Sequence, residues 1–291
     1  MKKTMVFLAA MFALAFVFGC IGGEKEEETP GGEGYTLKVN PQTVVAGGVV
    51  TIDLRIKNIF EKDMENVVAK LEGIPKTGYS GAETVDVGTI VANQEFPVIW
   101  TISTPDTEIK QTITPTAEIC FDYTTDFYFD TAIVPRDLAA EEVQLQSGCS
   151  TGPLEVSEVG LDRIFIKESG DTKLAGSLNI QNTWQGKIKE IKKIEISAST
   201  DGLIDSYGVS YAKCGDESTT SIPASGDTDC DILSNELAIG NGLTAKVNIA
   251  LDSGAATDTI EIERINGKIE YTYCYDVDIG TITVCPPGQQ C

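Results

Sequence analysis

Cysteine and aspartate are the residues of this chain whose types and spacing could do chemistry. The 291 residues include eight cysteines and no histidine. Without an imidazole, neither a Ser-His-Asp triad nor a His-liganded metal site can be built. Any catalysis falls to carboxylates, thiols or lysines. There is no Gly-rich phosphate loop, no Gly-x-Ser-x-Gly elbow and no Cys-x-x-Cys motif. Asp227-x-Asp229-x-Asp231 alternates carboxylates as a calcium loop does. An EF-hand needs Gly at position six and Glu at position twelve. Ile232 and Ala238 stand there, which leaves a looser calcium site as one reading and a solvated acidic loop as the other. No other cofactor is expected.

Beyond Cys20, the cysteines are Cys120, Cys149, Cys214, Cys230, Cys274, Cys285 and Cys291. Their spacings match no zinc pattern. Outside a cell they are expected to be oxidised. Cys214 and Cys230 flank a polar, turn-rich loop, and a bond there closes about 15 residues, worth about 3 kcal/mol in the chain-entropy model. Cys274 with Cys285 would join the two arms of a hairpin, and Cys120 with Cys149 would tie a strand to a linker. Cys291 is then left over. Sequence alone cannot settle the connectivity. An aromatic-acidic patch runs from Asp122 and Tyr123 through Asp126, Phe127, Tyr128, Phe129 and Asp130. Tyr271, Tyr273, Tyr275, Asp276 and Asp278 form its counterpart. Alternating aromatics imply cross-strand packing, and Tyr beside carboxylates also suits recognition of a glycan or a protein.

The elements that must position these residues are strands. Apolar and polar residues alternate in 36–39, 49–56 and 67–71, and again in 112–123, 161–167, 175–182, 188–197, 244–251 and 260–275. Period two marks half-buried strands, and the Gly, Pro, Asn and Asp between them mark turns. Short strands at regular spacing imply a sandwich. The stretch from Asp137 to Gln146 leans towards a short helix or a linker.

An internal repeat divides the chain. Ile119-Cys120-Phe121-Asp122-Tyr123 and Ile269-Glu270-Tyr271-Thr272-Tyr273 share a pattern at an offset of 150, and Thr131–Val134 falls onto Thr281–Val284. Each copy reads as the last hairpin of a sandwich. Leu54–Asn58 matches Leu178–Asn182 at an offset of 124. The difference implies an insertion near 206–235 in the second copy. The expected architecture is all-β: two Ig-like β-sandwiches in tandem, over 35–147 and 148–291.

Asn40-Pro41, Ala46-Gly47-Gly48, Val50–Asn58 and Glu65–Leu71 carry a family resemblance. Over roughly 35 to 135 the chain resembles the Ig-like repeats of archaeal S-layer-associated surface proteins and the CARDB and NEW3 type modules. The resemblance implies modules that hold surfaces together or display binding sites.

The amino terminus reads as an address. Met1-Lys2-Lys3 precedes an uncharged apolar run to Phe18, then Gly19-Cys20. Basic, apolar and small-residue segments in that order form a secretory signal. The junction resembles a lipobox, although Phe18 stands where that family usually carries a small residue. The resemblance implies removal of 1–19 and a diacylglyceryl group on Cys20. An uncleaved anchor is the alternative, although the run is short for a spanning helix. Residues 20–34 then form an acidic tether lacking the apolar surface to fold.

A net charge of −22 repels nucleic acid and anionic headgroups. The expected protein is a lipoprotein on the outer face of the cell membrane with a structural or adhesive role and no catalysis. Its partners would be the membrane through its anchor and a surface-layer protein, envelope protein or glycan. The alternatives are a glycan- or solute-binding lipoprotein serving a transporter, and a carboxylate-dependent extracellular hydrolase.

Overall fold

A computed structural model of the chain describes residues 34–81, 84–135, 144–159, 164–167, 172–198, 212–214, 230–232, 242–251 and 260–289. The described residues are all-β, with eighteen strands numbered β1 to β18 in chain order. The Asp137–Gln146 stretch lies mostly outside them, as do residues 1–33 and most of 206–235.

Three strands, β1 (Tyr35–Asn40), β3 (Val49–Lys57) and β6 (Glu95–Ser103), form an antiparallel sheet in that order. Val50, Ile52, Leu54 and Ile56 alternate inward along β3 and are fully buried, the period-two pattern at work. The largest sheet runs β13 (Lys187–Ala198), β17 (Glu261–Asp278), β8 (Thr116–Pro135), β4 (Met64–Glu72) and β5 (Thr84–Ile90). Short strands β9 (Ser147–Cys149) and β11 (Ile164–Lys167) add to β8. A third sheet is β10 (Leu154–Val159), β12 (Thr172–Asn182) and β16 (Gly242–Leu251). β14 (Ala212–Cys214) pairs with β15 (Cys230–Ile232).

The spine is the β8–β17 ribbon, antiparallel and in unbroken register from Thr116↔Asp278 to Ile133↔Glu261. The two repeat motifs therefore pair with each other: Phe121 opposes Tyr273, and Tyr123 opposes Tyr271. The hairpin expected at each motif is absent. Ile119–Tyr123 and Thr131–Val134 lie on one continuous strand of 20 residues. β18 (Ile282–Cys285) does not fold back on β17. It sits between β2 (Thr43–Val45), to which it is parallel, and β7 (Gln111–Ile113). Strand pairing thus crosses position 147 repeatedly: through the ribbon, through β18, and through β9 and β11 on β8.

The inward face of the ribbon is an aromatic cluster. Phe121 lies 5.7 Å from Tyr273 and 6.3 Å from Tyr275 between ring centroids, and Tyr123 lies 6.1 Å from Tyr271. Phe60 and Trp184 meet edge to face at 5.1 Å. Both follow the same turn. Asn58 accepts from the Phe60 N–H and donates to the carbonyls of Lys62 and Ile90. Asn182 accepts from the Trp184 N–H and donates to the Gly186 carbonyl. A tyrosine closes each corner. Tyr123 Oη accepts from the Lys62 N–H, and Tyr273 Oη lies 2.7 Å from the Gln185 carbonyl. Gly186 (φ 119°) ends the second turn tightly, because a Cβ there would sit 2.4 Å from the Cys274 carbonyl.

Candidate functional site

The outward face of the same ribbon carries the chemistry. Residues two apart share a face of a strand, so Cys120 and Asp122 point away from the aromatic core, as do Thr272 and Cys274. Asp122 and Thr272 are directly opposed in register, as are Cys120 and Cys274.

Asp122 is the hub. Thr272 Oγ1 donates to its Oδ1 at 2.6 Å, and Asn66 Nδ2 donates to its Oδ2 at 2.8 Å. Lys192 Nζ reaches the same Oδ2 at 2.6 Å. Two backbone irregularities deliver these last two groups. The β4–β8 register shifts between Glu65 and Val68, with Asn66 held at φ 48°. The β13–β17 register shifts between Ile191 and Lys193. A bulge re-aims a side chain, and here bulges on two flanking strands aim at one carboxylate. Burial opposes the Asp122 charge. The donors from Lys192, Thr272 and Asn66 outweigh it and hold the carboxyl below its ordinary range.

Around the hub opens a cleft of about 630 Å³. Lys62 is paired with Asp126, and Lys268 is paired with Glu270 at 2.5 Å. With Lys192 these place three amines among the cleft carboxylates. Tyr123 and Tyr271 also line the cleft. Burial pushes the phenols of Tyr123 and Tyr271 well above their ordinary range.

The aromatic-acidic patch divides between the two faces. Tyr123, Phe127, Tyr271, Tyr273 and Tyr275 are buried in the core, whereas Asp122 and Asp126 reach the cleft side with Lys192 and Lys62. Asp130 is buried and forms a forked pair with Arg264, at 2.8 and 3.2 Å. Arg264 also stacks 4.3 Å over the Tyr128 ring. Asp276 and Asp278 are exposed.

The disulfide pairing differs from the expectation. Cys120 bonds to Cys274 across the ribbon, rather than to Cys149, and Cys274 therefore does not bond to Cys285. Both alternatives assumed hairpin or linker neighbours, whereas the ribbon brings together residues separated by 154 in sequence. Cys149 and Cys285 are themselves disulfide-bonded. Cys214 and Cys230 oppose each other in β14 and β15. Cys20, Cys291, Asp227 and Asp229 lie outside the described residues, and Asp231 opposes Lys213 on β15. Among the described residues one group of potential metal ligands comes together, Glu118 with Cys120 and Cys274, and the disulfide occupies both sulfurs.

Sequence reasoning missed Asn66, Lys192 and Thr272. The signal was present as broken alternation. Ile188, Ile191 and Ile194 are spaced by three, yet all are buried on one strand. Only bulges at Lys189 and Lys192 reconcile that spacing with a period of two.

No family model and no curated protein matches the chain. Among solved structures, it is similar to the secreted serine protease VesC from Vibrio cholerae at 11% identity and a TM-score of 0.22, covering 82% of this chain and 50% of that one. The C-terminal globular domain of an oligosaccharyltransferase from Pyrococcus abyssi gives 12% identity and a TM-score of 0.27, covering 82% and 45%. Collagen adhesin from S. aureus gives 14% identity and a TM-score of 0.13, covering 86% and 92%. The chain spans half or less of the length of the first two. Overlaps this weak carry no functional meaning.

Proposed function

We propose that this is an exported surface protein, tethered to the outer face of the membrane through Cys20, which binds a polar envelope partner without catalysis. It would hold that partner, a surface-layer protein or a glycan, in the cleft around Asp122. The observation that carries the reading is the convergence of two bulges on that carboxylate. A carboxylate held ionised by three donors makes a fixed acceptor for ligand N–H and O–H groups, and is poorly suited to release a proton. The flanking lysines supply donors of their own. The Cys120–Cys274 bond supports export, since such bonds persist in oxidising compartments. The apolar leader ending at Cys20 and the acidic segment behind it support the tether.

Two measurements test the reading. The intact mass of membrane-extracted protein should begin at Cys20, carry a diacylglyceryl group and rise on reduction and alkylation through at least two opened bonds. A mass with Met1 retained and free thiols would defeat the tethered reading. The soluble part should co-sediment with isolated cell envelopes, and the Asp122→Ala/Lys192→Ala variant should lose at least tenfold in affinity. Unchanged sedimentation of a folded variant would remove the cleft from the proposal.

A further inference from the structure

A groove next to the cleft, of about 350 Å³, opens onto Cys120, whose sulfur is bonded to Cys274, and is also lined by Lys70, Glu118, Lys189 and Thr272. The two sulfurs are unequal. Cys120 is half-buried, whereas Cys274 is 1% exposed. The groove presents two lysines to one carboxylate, and Lys187 approaches Glu118 to 4.0 Å. Amines at a groove of this kind draw in an incoming thiolate, the species that attacks disulfides. The surrounding strands hold the pair in place. Val68 on β4 and Lys187 on β13 flank it, and the ribbon continues in register to both sides. The bond can therefore open without the strands separating.

We propose that Cys120–Cys274 is a thiol–disulfide exchange site, open in the folded protein to an external dithiol. The thiolate of the dithiol attacks Cys120 Sγ. A new S–S bond forms there, the Cys120–Cys274 bond breaks, and Cys274 leaves as thiolate and takes up a proton. The second thiol of the dithiol then attacks its own sulfur in the mixed disulfide. This releases Cys120 as a thiol and leaves the dithiol as a cyclic disulfide. The dithiol is oxidised by two electrons and the protein is reduced by two.

The position gives the exchange a consequence for the cleft. Asp122 and Thr272 are the next outward pair along the ribbon, and their 2.6 Å hydrogen bond shares the register that the disulfide clamps. Opening the bond would remove that covalent clamp beside the Asp122 hub while the backbone pairing stays in register. The chemistry at Cys120 does not depend on the binding function proposed for the cleft.

The test is graded reduction of the intact protein with dithiothreitol, quenched with iodoacetamide and read by peptide mass mapping, with the circular dichroism followed in parallel. Cys120 should be alkylated while the β-sheet signal is unchanged, and before Cys285, which is 2% exposed. Opening of this bond only together with loss of the sheet signal would overturn the proposal. Single-thiol variants check the direction of attack. Folded Cys274→Ser, with its Cys120 thiol free, should form a mixed disulfide with glutathione disulfide at least tenfold faster than folded Cys120→Ser. Equal rates would overturn attack at Cys120. Sheet-wide loss of structure in both variants would leave the wild-type reduction series to decide. The envelope sedimentation assay, repeated on reduced protein, separates the two readings: thiol release with unchanged sedimentation keeps the exchange site and removes its link to the cleft.

Discussion

The two faces of the β8–β17 ribbon share one backbone and one register yet have opposite characters. Inward, Ile119, Phe121 and Tyr123 stack on Tyr275, Tyr273 and Tyr271, all buried. Outward, Glu118, Cys120 and Asp122 oppose Asp276, Cys274 and Thr272, with charges, a disulfide and a hydrogen-bond hub. Alternation alone separates a packing surface from a reactive one. The inner face is continuously buried, whereas the outer face depends on bulges in the strands beside it.

The sharpest break in that comparison comes from the inner face. Phe121→Ala removes a ring that is 1% exposed and touches four aromatic neighbours. It should cost about 3–5 kcal/mol, read as a lower denaturation midpoint in urea. On the outer face, Cys120→Ala/Cys274→Ala should cost about 2–5 kcal/mol, measured by the same titration, because the bond closes a long loop. The buried corners should be the next most sensitive. Asn58→Ala and Asn182→Ala each leave carbonyls without their donor and should each cost about 1–3 kcal/mol. Similar losses at both would support their equivalence in the repeat. A loss at Asn58 alone would break it.

The hub should respond least in stability and most in binding. Lys192→Ala removes a part-exposed ion pair and should change the midpoint by no more than about 1 kcal/mol, while weakening envelope sedimentation. Asp122 also adds a pH dependence. Its folded carboxyl titrates below its unfolded value, so its contribution is fully present above the unfolded value and is lost as pH falls through the folded one. Stability of wild type relative to Asp122→Asn should therefore shrink on acidification below the ordinary carboxylate range. A difference independent of pH would show that the donors do not stabilise the charge.

The sequence exposed the strands well, because each buried face is written in local alternation: 49–56 became β3, 188–197 became β13 and 260–275 became most of β17. Val67, Ala69 and Leu71 likewise follow the alternation of 67–71 and are buried together. β6 escaped notice even though Trp100 and Ile102 are buried on it, because Pro97 interrupts the run. Pairing was not legible. A strand's alternation says which side faces the core but not which distant strand lies beside it. Alternation alone therefore points to separate hairpins for the two Tyr motifs, and to nearby partners for Cys120 and Cys274. The hub was hidden for the same reason, since Asn66, Asp122, Lys192 and Thr272 come from four strands.

The placement of β18 between β2 and β7 has a consequence for the order in which the molecule can form. A polypeptide emerges amino terminus first. β2 and β7 are therefore made early and hold a vacant slot, while β18 follows every other described strand. Until it arrives, Val44 and Ile113 lack the cover of Ile282 and Val284, with which they share the buried core. The slot can therefore close only after Ile282–Cys285 has been made, so the core around Val44 and Ile113 is among the last described parts of the molecule to be covered.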